Sequence, residues 1–386
     1  MRPDARAAAV AIAGLCTFLN LYTPQAILPA LADSFAVPLP RTGLTITAPL
    51  LAVALVAPFV GTISDRLGRK RLIVAACFGL AVPTLLIAGA GSLDAMVALR
   101  FVQGLMLPFI FAVTVAYIGD ECPGGSGIRA AGSYAQGTIF GGFAGRFVAG
   151  VAADLGGWRM AFVVIGAVTV LAAVAVAALL PRERNFHAVG GGVRGTLRTY
   201  REHLTNPRLL ATCGVGFGML FSMVATFTYV NFYLAAPPFG LAPAQLGLVF
   251  TVYLLGMVTT SAATRLAVRI GRRRTMAIVV SLASAGLLLT LAPSLPLVIA
   301  GLAGLAGGLF VVQALSLGFI AASVPRAKST AVGLYVTTYY IGGALGGVVP
   351  GLLWHLAGWA GVVGLLVPLL AAVLGLALSF WHTAPA

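Results

Sequence analysis

About twelve runs of 18 or more mainly apolar residues follow one another along the 386-residue chain. Roughly 20 apolar residues cross a bilayer as a helix. Such runs with so little between them leave room only for short loops and for no large extramembrane domain. Composition agrees: charged residues are 9%, hydrophobic residues 60%, and the mean hydropathy is +1.03. Soluble domains carry about 25% charged residues, so a chain this apolar has lipid as its solvent. Intrinsic disorder, collagen and a disulfide scaffold are excluded. A membrane β-barrel is excluded too, because its strands alternate in short segments.

The runs predict spans at 7–31, 43–63, 71–91, 95–119, 128–152, 159–180, 208–234, 244–265, 275–292, 296–322, 330–354 and 359–381. The first follows Arg2 and Arg6, as a signal peptide would, but it is too long for a cleaved apolar core and is read as a retained helix. With the N-terminus in the cytoplasm, twenty Lys and Arg fall on the cytoplasmic side and two, Arg41 and Arg159, on the other. This positive-inside pattern places both termini in the cytoplasm. It also accounts for the net charge of +15 as topology and anionic-lipid contact, so no nucleic-acid partner is expected. The four cysteines are scattered, with no metal-type spacing, and neither a metal nor a cofactor is expected.

An internal repeat divides the chain. Residues 130–158 align without gaps on 331–359, and eleven of the 29 positions are identical. A second match sets GTISDRLGRK at 61–70 against TRLAVRIGRR at 264–273. The expected organisation is all-α and integral to the membrane. Twelve transmembrane helices form two pseudo-symmetric six-helix bundles, 1–184 and 207–386, joined by a cytoplasmic linker at 185–206. Within that linker, VRGTLRTYREHL has the makings of a short basic helix on the membrane surface. Halves of this kind flank a central binding site near the midplane.

Between spans two and three stands Gly61-Thr-Ile-Ser-Asp65-Arg66-Leu-Gly68-Arg69-Lys70-Arg71. Here the chain resembles the major facilitator superfamily, whose loop motif reads G-x-x-x-D-R-x-G-R-K/R, and the resemblance extends over the whole chain. It implies the major facilitator fold and a conformational latch built from Gly61, Asp65, Arg66, Gly68, Arg69, Asp120 and Glu121. In the family the Asp caps the cytoplasmic start of span eleven, here Ser329 or Thr330, where the helix dipole favours an anion. The Arg pairs with an acid at the end of span four, here Asp120 or Glu121. The plainer alternative is that the basic residues only set topology. In the second half Val268 stands for Asp65, Thr264 for Gly61, and Ala322 and Ser323 for the two acids. The latch is therefore expected on one half only.

Arg100-Phe-Val-Gln103-Gly104 resembles the family's R-x-x-Q-G motif in span four. A charge within a span is costly and normally faces a cavity or a partner, although Arg100 stands near enough to the outer end to snorkel. In span five, Gly137, Gly141 and Gly145 form one small-residue stripe, and Gly142, Arg146 and Gly150 the next. Such stripes let helices pack closely. The pattern resembles the family's antiporter motif, with Gly145-Arg146 in place of the usual Gly-Pro. Arg146 has Gly347 as its repeat counterpart, so its charge belongs to one half. RFVQG, AYIGDE (116–121), GGFAGR (141–146) and the run 231–256 together resemble the YnfM-type branch of efflux permeases.

Of the nine acids none lies in the middle of a span. The first span offers Asn20, Tyr22 and Gln25, with Asp33 at its outer end. Asp33 is expected to approach Arg100 and is the best available proton carrier. Substrate or coupling candidates are therefore Asn20, Gln25, Asp33, Arg100, Gln103, Arg146, Asn231 and Gln313; singly, each such residue is more often a packing or hydrogen-bonding residue. No Walker loop, Ser-His-Asp arrangement or HExxH is present, so no enzyme is expected.

The expected function is secondary active transport by alternating access in a bacterial inner membrane, by a monomer that exports a small organic compound or drug against proton entry. One alternative is an organic-anion carrier using Arg100 and Arg146. Another, of a different class, is a transport-inactive membrane sensor or scaffold. A membrane enzyme would need a titratable cluster inside the spans.

Overall fold

A computed structural model describes residues 3–122, 124–183, 202–324 and 328–381. Among them the regular structure is entirely helical, as lipid demands of a backbone with no water to bond. The helices are α1 (Pro3–Leu21), α2 (Leu28–Phe35), α3 (Leu39–Thr42), α4 (Leu44–Leu67), α5 (Arg69–Ile87), α6 (Leu93–Glu121), α7 (Gly125–Leu179), α8 (Pro207–Ala235), α9 (Pro243–Val249), α10 (Leu255–Ile270), α11 (Arg272–Leu289), α12 (Leu295–Ser323), α13 (Lys328–Val348) and α14 (Pro350–Phe380).

Among the described residues nine helical segments are long and apolar enough to cross a membrane. One of them, α7, has 55 residues, and at 1.5 Å per residue would be about 80 Å long, far more than a bilayer core of about 30 Å. It turns back on itself at Gly156 (φ −152°, ψ 22°) and Gly157 (φ 76°, ψ 172°), and so provides spans five and six. Counting it twice and adding α11 and α13 gives the twelve spans.

The repeat is visible in the backbone. Gly157 and Gly358 occupy equivalent alignment positions and both have positive φ, 76° and 55°. Gly68 and Gly271 end spans two and eight with φ 88° each. Glycine serves such left-handed corners because it has no Cβ.

The helices divide into two compact units. The first lies within Met1–Gly191 and Leu241–Phe250, the second within Gly192–Gly240 and Thr251–Ala386. In the first, α1 crosses span five so closely that a Cβ at Gly137, Gly141 or Gly145 would run into the backbone of Ala11, Leu15 or Leu19. In the second, Gly342 and Gly346 meet the backbone of Phe217 and Phe221 in the same way. Two of the three contacts recur at the repeat spacing, and the small residues act as predicted.

Two spans read as continuous are broken. Span one passes from α1 through a 3-10 turn, Thr23–Ile27, into α2. Pro24 is the cause. Proline has no N–H to give the Asn20 carbonyl, and the Gln25 amide bonds Tyr22 at 3.0 Å in place of Leu21. Span eight changes from α9 through a 3-10 stretch, Phe250–Leu254, into α10. The surface helix expected in VRGTLRTYREHL lies largely outside the described residues, as does most of the linker.

Candidate functional site

The break in span one leaves the carbonyls of Asn20 and Leu21 without helical partners, and Arg100 of α6 collects both. Its Nη1 donates to the Asn20 carbonyl at 2.8 Å and to Gln103 Oε1 at 2.7 Å. Its Nε donates to the Thr45 carbonyl at 2.8 Å, and Nη2 donates to the Leu21 carbonyl. The guanidinium thus serves the negative end of α1 and ties three spans together. Arg100 is fully buried. It neither snorkels nor meets Asp33, which is exposed on α2; the expected Asp33–Arg100 approach is corrected, because carbonyl acceptors enclose the arginine instead.

The network continues inward. Gln103 Nε2 donates to Thr84 Oγ1 at 2.6 Å, the Thr84 hydroxyl to Asn20 Oδ1 at 2.9 Å, and Asn20 Nδ2 to Thr169 Oγ1 at 2.8 Å. Spans one, three, four and six are joined by side chains that are all buried. Thr84 and Thr169 carry no signal in the sequence, since a threonine in a membrane helix commonly bonds its own preceding turn.

Arg146 of span five forms a second centre on the other side of the same break. Its Nε donates to Gln25 Oε1 at 2.7 Å, and Nη1 donates to the Gly142 carbonyl one turn back. Its guanidinium carbon lies 4.5 Å from the ring centroid of Tyr22 and 4.5 Å from that of Phe250. Tyr22 and Gln25 come from the break in span one, and Phe250 from the break in span eight. A desolvated cation over two aromatic faces is held by their quadrupoles. The outer end of span eight packs against span five around it. A Cβ on Gly150 would strike the backbone of Pro243, and one on Gly247 would come 2.9 Å from Phe147 Cα. Asp154 Oδ2 accepts the Ala244 amide at 3.0 Å, in the first turn of α9. Gly247, Phe250 and Asp154 were not singled out in the sequence, because their partners are distant in the chain.

At the opposite end of the first unit the loop motif closes on itself. Arg69 Nη2 pairs with Asp65 Oδ1 at 3.0 Å and with Asp120 Oδ2 at 2.9 Å. Its Nη1 donates to Ser64 Oγ at 2.7 Å. The expected pairing with span four is made by Asp120. Glu121 is buried, and its carbonyl accepts Arg6 Nη1 at 2.6 Å. Gly68 turns the corner, Arg66 is exposed, and a Cβ on Gly61 would meet open space. Glu183, at the end of span six, adds an unforeseen partner: its Oε2 accepts the Lys70 amide at 3.2 Å. The side chain of Ser329 lies outside the described residues.

In the second unit Asn231 is buried. Its Nδ2 donates to the Phe227 carbonyl at 2.6 Å, and its Oδ1 has no hydrogen-bond partner among the described residues. Gln313 is half-buried on α12. At Gly347, the counterpart of Arg146, the backbone carbonyl accepts the Tyr229 hydroxyl at 3.1 Å. A neutral contact stands there in place of a cation.

Sequence and structure comparisons agree with this architecture. The Major Facilitator Superfamily model matches residues 10–236 and 231–386. The inner membrane transport protein YnfM of Escherichia coli K12 is 31% identical over 352 residues, covering 91% of this chain and 84% of that protein. The uncharacterized MFS-type transporter YybF of Bacillus subtilis 168 is 29% identical over 366 residues, covering 94% and 90%. Among solved structures, a bacterial homologue of the human lysosomal transporter Spinster, inward-facing and unoccupied, superposes with a TM-score of 0.78 at 16% identity, covering 98% of this chain and 96% of that one. The chain belongs to the Major Facilitator Superfamily and is a multi-pass membrane transporter rather than an enzyme.

Proposed function

We propose that the chain exports a small organic compound across the bacterial inner membrane against proton entry, by alternating access, as a monomer with both termini in the cytoplasm. The observation that carries this reading is the placement of Arg146 between two interrupted helices, with Tyr22 and Gln25 on one and Phe250 on the other. Helix interruptions in transporters are where substrates and coupling ions bind, and a buried cation is retained where function uses it. The aromatic and amide groups around Arg146 suit an amphipathic organic substrate. The Asp65–Arg69–Asp120 cluster suits a latch for the cytoplasmic side. Asp33 remains the proposed proton carrier on its position at the outer end of span one, without the help of Arg100.

A second reading, export of an organic anion, is favoured by one feature. Arg146 is a buried cation within span five, and no acid of the chain lies mid-span. This reading rests on Arg146 alone, because Arg100 is taken up by backbone carbonyls and Gln103. The test is uptake of a cationic dye and of a set of organic anions into proteoliposomes. Transport of the dye supports the first reading, transport of anions alone the second, and transport of neither class by folded protein contradicts both.

A further inference from the structure

The helix α9 (Pro243–Val249) has seven residues, and a helix that short has little stability of its own. Its first turn is poorly supplied from within. The N-cap residue is Ala242, where Ser, Thr, Asp or Asn usually offers an oxygen to the first-turn amides. Pro243 has no amide to satisfy, and Gln245 Oε1 reaches back to accept the Ala242 amide at 2.9 Å. The Ala244 amide is left, and it donates to Asp154 Oδ2 of span five at 3.0 Å. The cap that α9 lacks in its own segment is therefore supplied by another span. A carboxylate at this end also meets the positive pole of the helix.

This helix is a strap fixed at both ends. Asp154 holds its start, and Phe250, the residue after its end, lies over the Arg146 guanidinium. Between the two, Gly150 and Gly247 let the backbones of span five and α9 approach. The chain changes course on either side, at Gly240 with φ 59° and at the 3-10 stretch that Phe250 opens. By its packing the segment Leu241–Phe250 belongs with the first unit, which also holds Asp154 and Arg146. In the other half the positions equivalent to Asp154 and Arg146 are His355 and Gly347. The position equivalent to Phe250, at the spacing of the second repeat match, is Thr47. Carboxylate, cation and ring are absent there together, as the parts of one device would be.

We infer that Asp154 is a positioning residue for the Arg146 site: by capping α9 it sets the place at which the Phe250 ring covers the guanidinium. The inference rests on the reading of Arg146 as the place where the transported compound binds. Asp154 and Arg146 are eight residues apart in one helix, about 12 Å along its axis, so the carboxylate acts through α9 and not on the compound. Without the cap the first turn of α9 frays, and the ring at its far end loses its fixed seat. The cation is then more open to whatever approaches it.

The experiment uses the full-length protein in detergent. Hydrogen exchange of the segment 241–250 and modification of arginines by phenylglyoxal are both followed by mass spectrometry. In Asp154→Ala the α9 amides should exchange, and Arg146 should react, about fivefold faster than in the wild type, the scale of one lost hydrogen bond. Asp154→Asn keeps an acceptor oxygen and should stay within about twofold of the wild type. Arg100, held by carbonyls in span four, should react at the wild-type rate in both variants. Unchanged Arg146 reactivity in folded Asp154→Ala overturns the inference. So does equal acceleration at Arg100, which would mean a general loosening of the fold. Neither measurement needs transport, so the positioning role and the reading of Arg146 fail separately. Faster reaction of Arg146 with unchanged uptake of both a cationic dye and organic anions would support the positioning role and count against Arg146 as the binding site.

Discussion

The guanidinium carbon of Arg146 lies 4.5 Å from the ring centroid of Phe250. Phe250 opens the 3-10 stretch Phe250–Leu254, so the contact falls where span eight changes course. Through Gln25 and Tyr22 the same side chain touches the place where span one changes course. One cation therefore bears on both interruptions, and a movement of either span alters its surroundings.

Arg146 variants separate chemistry from packing. Arg146→Lys keeps the charge and loses the planar fork, and should retain part of the transport. Arg146→Ala removes a donor from Gln25 Oε1 and the cation from the two rings. Loss of the ring contact alone is worth about 2 kcal/mol when desolvated. Some loss of thermal stability is expected with it, and transport per folded molecule should fall at least tenfold, roughly the effect of losing 1.4 kcal/mol of transition-state stabilisation. Flux and melting temperature measured on one purified sample decide it. Intact flux per folded molecule would assign Arg146 to packing alone.

Asp65→Asn weakens the Arg69 cluster without removing Arg69–Asp120. These groups are partly exposed, so each pair is worth no more than about 1 kcal/mol. Maximal transport rate should fall about fivefold, with the half-saturating substrate concentration little changed. Initial rates across a substrate series test this, and unchanged maximal rates in Asp65→Asn would remove the latch from the mechanism.

Two glycines of span five should respond in opposite ways. Gly141→Ala drives a Cβ into the backbone of Leu15, and overpacking of this kind costs about 1–3 kcal/mol. Gly132→Ala meets nothing within 4 Å, and alanine is the better helix former by up to about 1 kcal/mol. Thermal unfolding should place Gly141→Ala below the wild type and Gly132→Ala at or above it. Equal melting temperatures would contradict the close crossing of α1 and span five.

The same residues show where sequence reading reached and where it stopped. The repeat and the glycine stripes were legible because small residues at fixed spacing have one common use in lipid, and the crossings at Gly141 and Gly342 follow it. The loop motif led to Arg69 and Asp120 for the same reason. The interruption of span one was not read, although Pro24 and Pro29 stand within it, because prolines are tolerated inside membrane helices and periodicity alone does not distinguish a kink from a break. Arg100 was expected to seek a carboxylate; carbonyls freed by that break took its place. Phe250 and Asp154 lie about 104 and 90 residues from their partners Arg146 and Ala244, and nothing local to either residue encodes such a contact.

Proton-driven export is tested most directly in proteoliposomes loaded at acid pH and diluted into alkaline buffer, with a transported compound supplied outside. Protons then leave down their gradient, and an antiporter accumulates the compound in the lumen. The account predicts accumulation above the equilibrium level, abolished by a protonophore and absent without the pH gradient. Uptake that only equilibrates whatever the gradient, or accumulation when the lumen is the alkaline side, would contradict it.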